Sequence, residues 1–479
     1  MIAAGRSLRA ALVLALGLGP ALAVGCAAQR PGAAQPQPAA PAPARPAAAT
    51  AAAPARVLLI SIAGLTPEHY LGRPGERPLM PKLAALAARG AAARHVDPVA
   101  PASDLPSHAS LASGLVPSHH GVTGDALVTD AGVVPRSLVK PAPLRGRALW
   151  DASRAAGLRT ALLGWPAAAA ADAEVRFPEP IAPEAGETYP ALLAKGLPPP
   201  LLETARRLGA ETPATRVPSA RRDALLVGLA CELAASSEPP ALLLLALGQT
   251  EPALRAHGPD TPAADAAFRA ADESLGQVLD CFERAGKLAD AAVVVVGDHG
   301  WLPVHTALAP NAVLGEAGLL TLLAPGAPVL QHWSALARSN GGSAFVYARK
   351  EQDAVLARRA LDDAAARGGA FRIVSAEEML RGGADREAWF GLEAEPGYVF
   401  VDDPGGPVVR VASERGAGGY LPEEPAMAPG FVAAGAGLRE GLVLPTLREI
   451  DVAPTVARLL GLRLEGADGR VLVGLLRGP

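Results

Sequence analysis

The chain is poor in lysine. Only five of its 44 basic side chains are lysines, at Lys82, Lys140, Lys195, Lys287 and Lys350. With the excess of Ala, Gly and Pro, this fits the codon bias of a GC-rich genome, and no function follows from it. Positive charge is in no surplus either. The net charge is −3 and the pI about 6.3, so there is no basic footprint and nucleic acid is not an expected partner. Histidine is scarce at one end. The nine His are His69, His95, His108, His119, His120, His257, His299, His305 and His332, and none follows position 332. No internal repeat is visible. What the chain does have is length and apolar content. With 479 residues, half of them hydrophobic, it can bury a large core and more than one ordinary domain.

The first segment reads as an export signal. Arg6 and Arg9 precede an apolar run, Ala10 to Val24, that is short for a membrane-spanning helix. The run ends at Gly25-Cys26, which suggests a bacterial lipoprotein signal spanning residues 1–26, with Cys26 as the acylated residue. The alternative is an ordinary signal peptide with an incidental cysteine. With Ala27 after Cys26, a lipidated chain would be sorted to the outer membrane, face the periplasm and have the membrane as a partner. Residues 27–55 are almost all Ala, Pro and Gln and predict a disordered tether. Cys231 and Cys281 lie in amphipathic helical patterns. Buried free thiols are the default expectation, and a disulfide requires a proximity that sequence does not reveal.

Residues 56–479 form the folded part. Continuous apolar runs at Val57–Ile62, Thr160–Leu163, Ala241–Leu247 and Ala292–Val296 alternate with helical patterns at 81–89, 148–156, 222–236 and 264–285. Unalternating strands separated by helices predict a parallel sheet buried on both faces. A last helix is expected over 451–460, with Asp451 as its cap and Gly461 as its stop. Between about 303 and 415 the texture changes. Strands at Phe345–Ala348 and Phe371–Val374 around a helix at 351–366 suggest a small α/β cap inserted in the main domain. In an open parallel sheet, chemistry collects at the carboxyl ends of strands. Here those ends are Ala63-Gly64, Gly248 to Glu251 and Gly297 to His299.

The motifs at those ends fall in a known order. They are Ile60-Ser61-Ile62-Ala63-Gly64-Leu65; Met80-Pro81-Lys82-Leu83 to Gly90; and Pro101-Ala102-Ser103-Asp104-Leu105-Pro106-Ser107-His108, followed by Ser113-Gly114, Pro117 and His120-Gly121. Then come Trp150, Gly157 and Trp165-Pro166; Gly297-Asp298-His299-Gly300; and Asp451 to Gly461. Each is weak alone, but six in collinear order from about Val57 to the C-terminus are specific. The chain resembles the type I phosphodiesterase/nucleotide pyrophosphatase branch of the alkaline phosphatase superfamily. The resemblance implies an α/β fold, an alkaline-phosphatase-like parallel-sheet sandwich with helices on both faces. It also implies two metals, usually zinc, that activate a Thr or Ser hydroxyl and hold phosphate oxygens.

Mapped onto that pattern, the family's functional positions are largely replaced. The first-strand Asp ligand falls on Ala63 and the nucleophilic Thr on Asp104. The phosphate-steadying Asn falls on Asp125. In the Glu251 to Pro259 element, Asp becomes Glu251 and the ligand His becomes Arg255. Asp298 and His299 keep their identities. The last ligand His falls on Gly418, and no later histidine exists to take its place. His108 and His120 are expected to support the helix and loop at the nucleophile position, while His305 and His332 carry no legible signal.

Two chemistries follow. Without metals, Asp104, Asp125, Glu251 and Asp298 crowd negative charge, and Arg255 can stand in for an ion, four residues from Glu251. The plain alternative has Arg255 pointing to solvent. A rival arrangement holds one divalent metal, zinc foremost, through Asp104, Asp298 and His299. The functional expectation is a catalytically degenerate member with a binding or assembly role in the cell envelope, toward an unidentified ligand or protein. The alternative is a metal-dependent hydrolase of phosphoric esters with a rebuilt, single-metal site.

Overall fold

A computed structural model describes residues 55–139, 142–177, 189–210, 219–324 and 329–478. The expected signal segment, Cys26 and nearly all of the expected tether lie outside these residues. Among the described residues, no helix is long and apolar enough to cross a membrane.

The central sheet has eight strands. In spatial order they are Leu442–Leu444, Ala91–Ala93, Phe431–Gly435, Ala291–Val296, Arg56–Ile62, Leu242–Leu247, Thr160–Leu163 and Val175–Phe177. Arg56–Ile62 sits between two parallel neighbours, with Leu59 opposite Leu244 on one side and Val294 on the other. Only Phe431–Gly435 runs against the rest, antiparallel to both its neighbours. All seven residues of the first strand are buried. That is why its sequence shows no polar alternation: both faces are covered.

The pleat of that strand separates two cores. Leu58, Ile60 and Ile62 point into one, shared with helices Pro81–Arg89, Ala220–Ala235 and Pro262–Arg284. Val57 and Leu59 point into the other, shared with helices Asp104–Ser113, Leu149–Ala155 and Val452–Leu459. The structure is therefore a mixed α/β sandwich around a mostly parallel sheet.

Two expectations are corrected. Cys231 and Cys281 are joined in a disulfide between helices Ala220–Ala235 and Pro262–Arg284, whose packing brings the two Cα atoms to 5.2 Å. Asp451 does not cap the helix that follows it. Its carboxylate turns back to accept the backbone N–H of Arg448 and of Arg470, at 3.2 and 2.9 Å. Gly461 does end that helix, at φ 73°.

In the 302–417 stretch a second, antiparallel sheet orders Ala335–Ser339, Ser343–Ala348, Phe390–Ala394 and Phe371–Val374, backed by helix Glu351–Ala366. Strand Leu302–Leu308 leads out from the Asp298 turn. It pairs at its two ends with Gly416–Ala417 and Val409–Val411. This pairing returns Glu414 and Gly418 to the carboxyl edge of the main sheet.

Candidate functional site

A cleft of about 440 Å³ opens at that edge. Among its lining residues are Asp104, Asp125, Glu251, Arg255, Asp298 and His299, and also Gly418. The sequence reading thus named residues that the fold brings into one place.

Asp104 is the first residue of helix Asp104–Ser113, after Ser103 in extended conformation. Its carboxylate reaches one turn along the helix to His108, with 3.0 Å between Oδ1 and Nδ1. The same Nδ1 lies 2.9 Å from the Asp104 carbonyl, so it carries a proton that it donates. Nε2 of His108 meets Ser61 Oγ at 2.8 Å. His108 is almost fully buried, whereas Asp104, at the cleft floor, keeps 46% of its side chain open to the cleft. Burial by itself would lower the His108 pKa. The hydrogen bond and charge of Asp104 outweigh it and raise the ring to about 9. For Asp104 the balance is reversed: enclosure favours the neutral acid, but the His108 hydrogen bond and charge hold the carboxyl below its usual range. The two side chains form an ion pair.

Asp125 reaches the same floor from the loop after helix Pro117–His120, where its Oδ1 accepts the Leu105 N–H at 2.8 Å. Enclosure by protein and then the charge of Asp104 push its carboxyl up. Glu251 opens helix Glu251–His257 and is raised for the same two reasons. Its partner is Arg255, four residues on at 2.8 Å. Arg255 also binds both oxygens of Glu414, at 2.9 and 3.0 Å. Its guanidinium stands over Trp301 at 5.4 Å. Arg255 thus bridges two carboxylates across the cleft wall.

Asp298 Oδ1 accepts the N–H groups of Gly64 and His299, at 2.8 and 2.7 Å. His299 Nδ1 donates to the Gly300 carbonyl at 2.8 Å. The His299 ring lies against Gly418, where a Cβ would come within 2.4 Å of it. Ala63 brings only a methyl group, and its carbonyl accepts the Thr250 hydroxyl at 2.5 Å.

The expected single-metal group of Asp104, Asp298 and His299 is not the one the fold assembles. Among the described residues, the group able to converge on an ion is Asp104, His108 and Asp298, with ligand atoms within 4.8 Å of one another. His108 enters because i,i+4 spacing on a helix brings it beneath Asp104. His299 is not in that group, although its Nε2 stays 3.7 Å from Asp298 Oδ2; the opposite edge of the ring lies against Gly418. His120 is buried beside Ser110 at 2.9 Å, and burial lowers it to about 3, so it stays neutral and supports the loop. Sequence reasoning did not name Glu414, Trp301, Asn340 or Asp402. The Asp104–His108 spacing was a usable signal, but nothing adjacent in sequence marks the others.

The architecture is that of the alkaline phosphatase superfamily. A model of the type I phosphodiesterase/nucleotide pyrophosphatase family matches residues 57–421, and the chain belongs to that family. Its fold is similar to that of human ectonucleotide pyrophosphatase/phosphodiesterase 5, with TM-score 0.62 and 17% identity over 88% of this chain and all of that one. The murine counterpart gives TM-score 0.61 at 16% identity, over 88% and 100% of the two chains. An inactive variant of the murine protein, solved with AMP, gives the same score and identity over 88% and 99%. No curated protein matches the chain. Members of the family depend on metal ions.

At the positions where the resemblance would place metal ligands, Ala63 offers a methyl group, Arg255 a guanidinium bound to Glu251, and Gly418 no side chain, its space taken by the His299 ring.

Proposed function

We propose that the chain is a catalytically degenerate member of its family, exported to the cell envelope, whose cleft binds rather than hydrolyses. One observation carries this reading: the protein's own cations replace the ions. His108 neutralises Asp104, and Arg255 neutralises Glu251 and Glu414. Phosphoryl transfer requires positive charge gathered on the transferring oxygens. Here Asp125 adds a further acidic side chain beside the Asp104–His108 pair. The leader pattern, with Cys26 as the lipidated residue of an outer-membrane lipoprotein facing the periplasm, supports the envelope assignment. So does the Cys231–Cys281 disulfide, a bond that persists in oxidising compartments.

Elemental analysis of the purified protein, with a nitrophenyl phosphodiester assay under added zinc or manganese, tests this. The expected result is less than one tightly held metal per chain and no turnover above background. Two metals per chain with turnover would overturn it. A second reading, a single-metal hydrolase, has the Asp104–His108–Asp298 group in its favour. It requires His108 to give up the proton it donates to Asp104. One metal per chain, lost in His108→Ala along with turnover, would favour that reading.

A further inference from the structure

We propose that the Cys231–Cys281 disulfide is a redox switch for the cleft. A dithiol opens it by attacking Cys231, and its state sets how firmly the Glu251–Arg255 wall is held. The proposal does not depend on whether the cleft hydrolyses its ligand or only binds it.

The two sulfurs are unlike. Both cysteines are partly exposed, on helices Ala220–Ala235 and Pro262–Arg284. Arg284 Nη2 lies 3.2 Å from Cys281 Sγ, and its Nε donates to the Asp280 carbonyl at 3.2 Å, which holds the guanidinium in place. Cys231 Sγ has the Gln277 carbonyl oxygen at 3.9 Å instead. A cation stabilises a departing thiolate, whereas a carbonyl oxygen disfavours one. In thiol–disulfide exchange the better leaving thiolate decides which sulfur is attacked. Cys281 is therefore the leaving group, and Cys231 is the sulfur that an incoming thiolate meets.

The exchange balances with a dithiol as the only co-reactant. Its first thiolate bonds to Cys231 Sγ, the S–S bond breaks, and the electron pair departs on Cys281 Sγ beside Arg284. The second thiol, deprotonated, then attacks the mixed disulfide. Cys231 leaves with that electron pair and takes up a proton. Two electrons and two protons pass to the protein, and the dithiol becomes a disulfide.

A separate observation ties this bond to the cleft. The turn before Glu251 is gripped by both helices that the disulfide joins. Asp223, on the first helix, accepts the N–H groups of Gly248 and Gln249 at 3.1 and 2.9 Å. Ser274, on the second, accepts the side-chain amide of Gln249 at 3.1 Å. Each grip lies about two helical turns from the cysteine of its own helix. With the bond closed, the helices keep one spacing and the turn is fixed between Asp223 and Ser274. With the bond open, the helices are free to slide against each other. That movement passes to Gly248 and Gln249, and through them to Glu251 and its bridge through Arg255 to Glu414. Thiol–disulfide changes act as switches where they bias an element of this kind.

A brief pulse of reduced glutathione on the folded protein, stopped with iodoacetamide and followed by peptide mass mapping, tests the direction of attack. Glutathione is expected on Cys231 in roughly tenfold excess over Cys281. Arg284→Gln should abolish that preference. Hydrogen exchange reads the coupling to the cleft. Reduction with dithiothreitol should speed exchange of the Gly248–Arg255 amides by roughly fivefold or more. The Cys231→Ala/Cys281→Ala chain should exchange as fast without reductant. The amides of Val57–Ile62 should stay protected in every sample. Adducts shared equally by the two cysteines, or a bond that resists glutathione until the protein is unfolded, would overturn the proposal. So would unchanged exchange at 248–255 after reduction. Loss of protection throughout the sheet would do the same, since the bond would then hold the whole fold and not the cleft wall.

Discussion

The ring of His299 fills the space that a side chain at Gly418 would need, with 2.4 Å between its atoms and a Cβ built there. The ring is held by Nδ1 donating to the Gly300 carbonyl, so it does not yield freely. Gly418→Ala is expected to lower stability by about 1–3 kcal/mol, the usual cost of overpacking. In His299→Ala the same substitution should be close to neutral, giving a coupling energy in a double-mutant cycle. Equal thermal shifts in both backgrounds would contradict the contact.

Asp104 sets the charge of His108. Burial alone pushes the ring down, and only Asp104 and its neighbours bring it up to about 9. In Asp104→Asn the ring should titrate at least two units lower, read by NMR of the imidazole across pH 5–10. An unchanged titration would mean that the ion pair is not what holds the proton.

Glu449 gives the fold a pH dependence of its own. It lies in the turn Glu449–Asp451 that packs beneath helix Asp104–Ser113, almost fully enclosed. Burial pushes its carboxyl up to about 8, against the Val99 N–H bond that favours the anion. The folded pKa is above the unfolded one. Its stabilising effect is therefore whole below about pH 4.5 and drains away as pH rises through about 8. Glu449→Gln should flatten the decline in stability between pH 5 and 8.5 by on the order of 3 kcal/mol. Chemical denaturation at several pH values measures it, and parallel wild-type and variant curves would refute the assignment.

The disulfide closes a loop of 50 residues between two packed helices. Cys231→Ser or Cys281→Ser is expected to cost about 2–4 kcal/mol. Reductant should lower the wild-type melting temperature toward that of the variants. No response to reductant would show the thiols to be free in the purified protein.

The sequence made the sheet legible wherever strands are buried on both faces, because runs such as Val57–Ile62 and Ala292–Val296 show no polar alternation. It did not reveal Ala91–Ala93, whose alanines suit a helix equally well, nor Phe431–Gly435, whose reversed direction depends on partners far away in the chain. In the cleft the same division holds. The Glu251–Arg255 pair follows from helical spacing, but Glu414 joins it across 159 residues. His299 kept its family identity in sequence, yet its ring direction follows from the glycine at 418, a packing effect that no motif records. The cysteines were placed in the right helices, but whether they meet is decided by the packing of those helices.

The first strand also has a mechanical meaning. Its first residue, Arg56, bonds the Lys287 carbonyl at 2.8 Å and pairs with Asp290, while just past its far end the Gly64 N–H binds Asp298 at the cleft. A pull from the N-terminal side acts along the axis of a strand flanked by parallel neighbours on both sides. The ladder bonds to Leu242–Leu247 and Ala291–Val296 are then loaded together, in shear, and cannot open one at a time. Force applied at Arg56 would therefore be resisted by the whole ladder at once, at the strand end opposite Ile62.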